Sequence, residues 1–364
     1  MNSQWPAWLP LRADLLGLTP YGAPQMEKMI QLNTNENPYE LPESVISQMT
    51  ARLADLLHTL NRYPDRDAVK LRSSLASYIN SRSATSFTVE NIWAANGSNE
   101  ILQTLMLAMG ERGALGFLPS YSVHPLIAQT TKTPWSSGTR RADFTLDSDA
   151  AVAQILESQP ALTFITTPNN PTGTSLSLSD ITKLAIATSE VSGLLIVDEA
   201  YAEFSEEISA VTLIEKYPNI VVVRTMSKAF AFAGARVGYL IARPEIINAA
   251  LVTRLPYHLS AQTQAMAEVA LENAPLLLAE VARLISERDR VKSELESLGL
   301  DVVPSSANFL MFTGFEGSPS DLWKRLVDRG ILIRDIGIPQ YLRVTIGTPA
   351  ENDRFLTELK SLTS

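Results

Sequence analysis

Leu194-Leu195-Ile196-Val197-Asp198-Glu199-Ala200-Tyr201 passes from four apolar residues straight into two carboxylates. Four apolar residues with no polar face read as a strand covered on both sides, as in a parallel sheet between two layers of helices. Two further segments repeat the pattern. Leu162-Thr163-Phe164-Ile165-Thr166 runs into Thr167-Pro168-Asn169-Asn170-Pro171-Thr172-Gly173, and Ile220-Val221-Val222-Val223 runs into Arg224-Thr225-Met226-Ser227-Lys228. Asn170, Asp198 and Lys228 follow one another at intervals of about 30 residues, the length of one strand and its crossover. Ligands of an open parallel sheet gather beyond the carboxyl ends of its strands. The three residues are therefore expected to converge on one edge.

Outward from this centre, Ile92-Trp93-Ala94-Ala95, Gly113-Ala114-Leu115-Gly116-Phe117 and Val237-Gly238-Tyr239-Leu240-Ile241 read as further strands. The short link before the last of them allows an antiparallel edge. Apolar residues recur at helical spacing over 43–60 and 68–79, and a long helical tract covers 261–298. Its charged stretches, Glu280-Val281-Ala282-Arg283 and Ser286-Glu287-Arg288-Asp289-Arg290, read as a solvated face. Asn308-Phe309-Leu310-Met311-Phe312 and Leu342-Arg343-Val344-Thr345-Ile346 are strand candidates with a helix over 320–329 between them, which makes a smaller α+β lobe. A Pro-rich arm over 5–24 has no sustained period and is expected to lie along another surface. The fold expected is α/β, with a mostly parallel mixed sheet sandwiched by helices. An arm and loop over 1–40 join the small domain, a large domain spans 41–265, and the small domain spans 266–364.

Thirty basic against thirty-nine acidic residues give a net charge of −9, which argues against a surface that wraps nucleic acid. With no cysteine there is no disulfide, thiolate nucleophile or iron–sulfur cluster. His58, His124 and His258 are too scattered for a spaced metal motif, so no metal is expected. No stretch reaches the roughly 18 uninterrupted apolar residues of a membrane span. Residues 1–10 show no basic run followed by an apolar one, so no export signal and a cytoplasmic location are expected.

A carboxylate directly behind four apolar residues is costly to bury unless a positive group stays beside it. A protonated pyridine nitrogen meets that need for Asp198, and an acid there keeps pyridoxal 5′-phosphate (PLP) an electron sink. Lys228, among small residues at a strand end, suits Schiff-base chemistry because partial burial lowers the ammonium pKa. Thr225 and Ser227 flank it with hydroxyls, and Arg236 follows in Ala233-Gly234-Ala235-Arg236-Val237-Gly238 with positive charge for a phosphate. Gly97-Ser98-Asn99-Glu100 precedes a helical run over 101–109, so its backbone N–H groups present an anion-binding helix N-terminus. Tyr121 follows another strand end and is placed to stack on the ring. Singly these residues say little, since strand-end acids cap helices and Ser-Lys pairs occur on many surfaces. Their ordered series is what points to PLP.

That series resembles the fold-type I PLP-dependent aminotransferases, and more closely the histidinol-phosphate aminotransferase family. Leu32-Asn33-Thr34-Asn35-Glu36-Asn37-Pro38, Asn61-Arg62-Tyr63-Pro64-Asp65, Ala95-Asn96-Gly97-Ser98-Asn99-Glu100 and Arg224-Thr225-Met226-Ser227-Lys228-Ala229-Phe230 carry the likeness, which runs from Tyr21 to Gly347. The resemblance implies that Lys228 holds the cofactor covalently, that Asp198 faces the pyridine nitrogen, and that Asn170 and Tyr201 contact the phenolic oxygen. It gives the phosphate to Thr225, Ser227, Arg236 and the Ser98–Asn99 backbone. It sends Tyr63 to the neighbouring subunit's cofactor, so a homodimer with shared active sites is implied. The family transfers an amino group between L-histidinol phosphate and 2-oxoglutarate, and its substrate-anion arginines match Arg343 and Arg334. Tyr21, Asn37 and Tyr257 are implied to line the substrate pocket. Asn99 departs from the wider pattern, in which an acidic residue is common. The helix N-terminus survives that change, so phosphate binding is expected to survive.

An aromatic amino-acid aminotransferase would share every cofactor residue and is the nearest alternative. A phosphoamino-acid decarboxylase on the same fold is more distant. A PLP-fold regulator would need a helix-turn-helix domain and a basic surface, and the sequence shows neither.

Overall fold

The computed structural model describes residues 5–6 and 8–363; residues 1–4 and 7 of the expected arm, and Ser364, lie outside the described residues. The first strand, β1 (Ile30–Gln31), belongs with the last third of the chain. The next seven form one sheet: β2 (Ile92–Ala95), β3 (Ala114–Leu118), β4 (Trp135–Thr139), β5 (Leu162–Thr166), β6 (Leu194–Asp198), β7 (Ile220–Thr225) and β8 (Gly238–Ile241). Their spatial order is β2-β8-β7-β6-β5-β3-β4. From β4 to β7 the pairing is parallel, and every residue of β5 and β7 is buried, as apolar runs without a polar face require.

One expectation is corrected here. β8 does run antiparallel to β7, but it is not an edge, because β2 pairs on its outer side with Ile92 opposite Ile241. The edge at the far end is β4, which pairs only with β3. A strand with one neighbour and exposed faces needs no apolar run, so Trp135-Ser136-Ser137-Gly138-Thr139 gives no strand signal.

Helices α1 (Glu43–Leu57), α2 (Val69–Ser83), α3 (Ser98–Met109), α4 (Val123–Thr131), α5 (Ser148–Ser158), α6 (Leu178–Glu190) and α7 (Pro244–Leu251) accompany the main sheet. Two apolar clusters lie on its opposite faces. One takes Leu195, Val197 and Val222, the other Ile196, Val221 and Val223, which is the alternation a pleated strand imposes. The helical tract expected over 261–298 is interrupted, giving α8 (Ala261–Glu272), α9 (Ala274–Leu277) and α10 (Ala279–Ser297). Pro275 is tolerated because it falls in the first turn of α9.

The smaller lobe holds β9 (Asp301–Val302), β10 (Phe309–Thr313), β11 (Ile331–Leu332), β12 (Arg334–Asp335) and β13 (Leu342–Thr345), with α11 (Pro319–Val327) and α12 (Pro349–Thr363). Four strands form an antiparallel sheet, β12-β13-β10-β9, while β11 pairs in parallel with β1. That pairing delivers the polar loop after β1 to β13, where Thr345 N donates to Leu32 O at 2.9 Å. The N-terminal arm lies along the end of α4: Arg12 donates to Thr130 O and Gln129 to Asp14 O, both at 2.8 Å. Among the described residues no helix is long and apolar enough to cross a membrane.

Candidate active site

A cavity of about 400 Å³ opens at the carboxyl ends of β3, β5, β6 and β7, facing the β12–β13 edge of the smaller lobe. Its walls bring together Ser98, Asn99, Tyr121, Asn170, Asp198, Tyr201, Thr225, Ser227, Lys228 and Arg236 with Tyr21, Arg334 and Arg343. Asn37, Tyr63 and Tyr257 are not in those walls. Asn37 is turned onto its own backbone surroundings, accepting from Tyr39 N at 3.0 Å and donating to Ala229 O at 3.4 Å. Tyr63 and Tyr257 are exposed and stack on each other, ring centroids 4.4 Å apart and planes within 17°. Within one chain, Asn37 and Tyr257, expected to line the pocket, thus stand outside this cavity.

At one end the cavity is a cradle for an anion. Arg236 follows the short turn Ala233–Ala235 in a left-handed conformation, φ +57°, a strained choice for a residue with a side chain. Its Nη1 donates to Ser227 Oγ at 3.4 Å, and Thr225 Oγ1 lies 2.9 Å from the same hydroxyl. The N-terminus of α3 closes the cradle. A Cβ on Gly97 would sit 2.5 Å from Arg236 Nη2, and one on Gly238 would collide with Ser98 N. The two glycines thus let a guanidinium and a helix N-terminus approach each other, which suits a phosphate. Gly238→Ala is expected to weaken PLP binding by roughly tenfold or more, since ~1–3 kcal/mol of overpacking falls on that helix N-terminus. Fluorescence titration with PLP measures it, and unchanged affinity would remove the cradle from this account.

In the middle, Asp198 is buried, with Oδ1 accepting from Ala200 N at 3.1 Å and Oδ2 lying 3.4 Å from His124 Nε2. His124 packs edge-on against Tyr121, with centroids 5.3 Å apart. Tyr201 accepts from Asn35 Nδ2 at 2.8 Å and from Asn170 Nδ2 at 3.4 Å. Burial pushes its phenol up to about 12 despite the opposing pull of Arg343, so it keeps its proton and has it free to donate. An acid, a phenol donor, an amine and an anion cradle are thus arrayed around one space, and that donor set fits the pyridine nitrogen, phenolic oxygen, aldehyde and phosphate of PLP.

Lys228 Nζ donates to Thr34 O at 2.9 Å. Burial, reinforced by the positive charges of Arg343 and Arg236, lowers its pKa to about 8, while Glu36 pulls the other way. Imine formation needs the neutral amine. The rate of PLP uptake by the apoprotein is therefore expected to rise with pH up to about 8 and then level off. Stopped-flow absorbance follows it, and a rate flat through neutral and alkaline pH would contradict the shift. The unfolded chain holds this proton up to about 10.5, the folded one only to about 8, so between those values Lys228 makes the apoprotein more stable as pH rises.

At the far end Arg343 is 6% exposed, donating to Asn170 Oδ1 at 2.6 Å and to Asn33 O at 2.8 Å. Arg334 is its register partner on β12. Burial, with Arg334 adding to it, lowers the Arg343 pKa to about 10. Among the described residues neither arginine forms an ion pair.

Three contributors escaped the sequence reading. Thr34 and Asn35 sit in the quoted loop, where only Asn37 was given a role, yet it is their groups that meet Lys228 and Tyr201. No strand alternation marks them: Leu32, Asn33 and Asn35 are all buried, and Asn35 is turned inward by a left-handed backbone, φ +57°. His124, too far from the other histidines for a metal motif, sits against Asp198.

The family described as aminotransferase class I and II matches residues 27–359 of this chain. A histidinol-phosphate aminotransferase of Mycobacterium sp. (strain JLS) is 54% identical over 352 residues, 96% of this chain and 93% of its own length. The histidinol-phosphate aminotransferase of Nocardia farcinica (strain IFM 10152) is 53% identical over 351 residues, 96% of this chain and 90% of that one. In fold, the chain is similar to the crystal structure of histidinol-phosphate aminotransferase from Sinorhizobium meliloti in complex with pyridoxal-5′-phosphate. The TM-score is 0.81 at 23% identity, covering 92% of this chain and 91% of that one. Motif order, cavity and relatives agree: the chain belongs to the class I and II aminotransferases, which are PLP-dependent enzymes, and within them to the histidinol-phosphate aminotransferase family.

Proposed function

We propose that the protein transfers the amino group of L-histidinol phosphate to 2-oxoglutarate, giving imidazole acetol phosphate and L-glutamate. The arginine pair is the observation that carries this reading. Arg334 and Arg343 stand directly opposite each other on antiparallel strands, where like charges repel. An anion between them removes the repulsion. The phosphate ester of the donor and a carboxylate of the acceptor do so in turn, since a planar guanidinium takes either through two nitrogens.

Bound PLP supplies the electron sink and the carbonyl that carries the amino group between the two substrates. Lys228 holds the cofactor, and its Nζ, once released, takes the proton from the donor's α-carbon. Asp198 keeps a proton on the pyridine nitrogen. Tyr201, held by Asn35 and Asn170, donates to the phenolic oxygen, and Tyr121 covers the ring. Thr225, Ser227, Arg236 and the start of α3 hold the phosphate, and Tyr21 walls the donor's side.

The exposed Tyr63–Tyr257 stack supports a homodimer in which each protomer presents this pair to its partner's cavity. In the same reading the chain divides into an arm and loop over 1–40, a large domain over 41–265 and a small domain over 266–364. The β1–β11 pairing supports joining the first part to the last. A cytoplasmic enzyme acting on small molecules, with no nucleic acid or membrane as partner, fits the acidic, cysteine-free composition. A panel of amino donors assayed with 2-oxoglutarate tests the assignment. Histidinol phosphate is expected to show the highest kcat/KM. A higher value for phenylalanine assigns the chain to the aromatic alternative, and carbon dioxide release without consumption of 2-oxoglutarate assigns it to decarboxylation.

A further inference from the structure

Neighbouring residues of a strand point to opposite faces, so each strand end at the cavity floor carries one residue the cavity uses and one it does not. Asp198 and Thr225 line the cavity. Glu199 and Arg224 lie on the other face of the sheet, 3% and 5% exposed. Arg224 donates through Nε and Nη2 to Glu199 Oε2 at 3.0 and 2.8 Å, and through Nη1 to Glu203 Oε1 at 3.3 Å. Glu199 completes its set with Ala210 N and Ser209 Oγ, both at 2.7 Å, and the Tyr78 hydroxyl donates to Glu203 at 3.3 Å.

Such a buried pair is a poor source of stability, because the desolvation of two charges offsets their attraction and apolar residues of like volume serve as well. What it fixes is orientation. A guanidinium bound through two nitrogens to one carboxylate sets the distance and angle between the two backbones that carry them. The place where it does so is the last rung of the β6–β7 ladder, Glu199 N to Val223 O at 2.9 Å. Directly beside that rung stand Asp198 on one strand and the segment from Thr225 to Lys228 on the other.

We propose that the Arg224–Glu199 pair positions the cofactor, by setting the separation between Asp198 and the Thr225–Lys228 segment from beneath the sheet. Arg224 and Glu199 are positioning residues, and the proposal rests on the reading of Asp198, Thr225 and Lys228 as cofactor contacts.

The test uses the full-length holoenzyme of the double variant Glu199→Leu/Arg224→Met, which exchanges the ion pair for apolar side chains. Three quantities are read: the PLP dissociation constant, the midpoint of the pH titration of the visible cofactor band, and the melting temperature at saturating PLP. The expected result is a shifted titration midpoint, with a lowered melting temperature because Glu203 is left buried without its cation. PLP binding is expected to be weaker by roughly ten- to a hundredfold, the loss typical when an outer-shell partner of a bound group is removed. Unchanged affinity and an unchanged midpoint, at any melting temperature, overturn the proposal. If the double variant does not fold, Arg224→Lys decides by the same readouts, because it keeps the charge and loses the planar fork. Asp198→Asn is run alongside; if its affinity and midpoint match the wild type, what is overturned is the reading of the cavity on which the clamp rests.

Discussion

Lys228→Ala is expected to lower kcat by at least ~10⁴-fold, the upper range for losing a positioned proton-transfer group, and to abolish the visible absorption of the lysine-linked cofactor. No other lysine lines the cavity among the described residues, so no neighbour can take its place. Its amine is also the one that burial and two arginines hold near a pKa of about 8, where an appreciable fraction is neutral at physiological pH. The anion cradle is untouched by the substitution, so PLP is expected to bind still, though more weakly. Wild-type turnover, or a wild-type spectrum, from the purified variant would show that the lysine is wrong.

Arg343→Ala is expected to lower kcat/KM for amino donor and amino acceptor alike by roughly a few hundredfold, the ~3–4 kcal/mol that truncating a buried charged contact costs. Both half-reactions suffer because one guanidinium meets both anions. Arg343→Lys is expected to restore little, since the ammonium lacks the fork that reaches Asn170 and Asn33 together. Cofactor affinity is expected to fall only slightly, through the freed Asn170 side chain. Steady-state kinetics with each substrate varied in turn, beside a PLP titration, separate the effects. A loss of PLP binding as large as the loss of kcat/KM would move Arg343 from the substrate to the cofactor.

The parts of the fold legible in the sequence are those where one physical demand dominates. β5, β6 and β7 are covered on both faces and read as apolar runs, and the residue after each run falls at the same sheet edge by topology alone. Asn170, Asp198 and Lys228 met in one cavity for that reason. β4 was illegible because an edge strand with exposed faces leaves no apolar pattern. β8 showed its direction through a short link, but nothing local reveals that β2, about 140 residues earlier, would pair outside it.

The polar loop 32–38 is legible as a motif, but the contacts of Thr34 and Asn35 are not. Its contacts depend on which side chains the β1–β11 pairing turns inward, and that pairing joins segments some 300 residues apart. Asn35 therefore reaches Tyr201, while Asn37 satisfies its own neighbourhood. Tyr63 and Tyr257 pose a different limit. Their stack lies outside the cavity of the chain that carries them, so their use is a property of an assembly rather than of one fold.

Amino transfer in this cavity depends most on Lys228 being the residue that holds the cofactor while Asp198 stands across from it. Reducing the holoenzyme with borohydride makes the lysine–cofactor link permanent, and peptide mass mapping then locates it. The added mass is expected on the peptide that contains Lys228 and on no other. A cofactor mass on a different lysine, or none after reduction of the coloured protein, would contradict it.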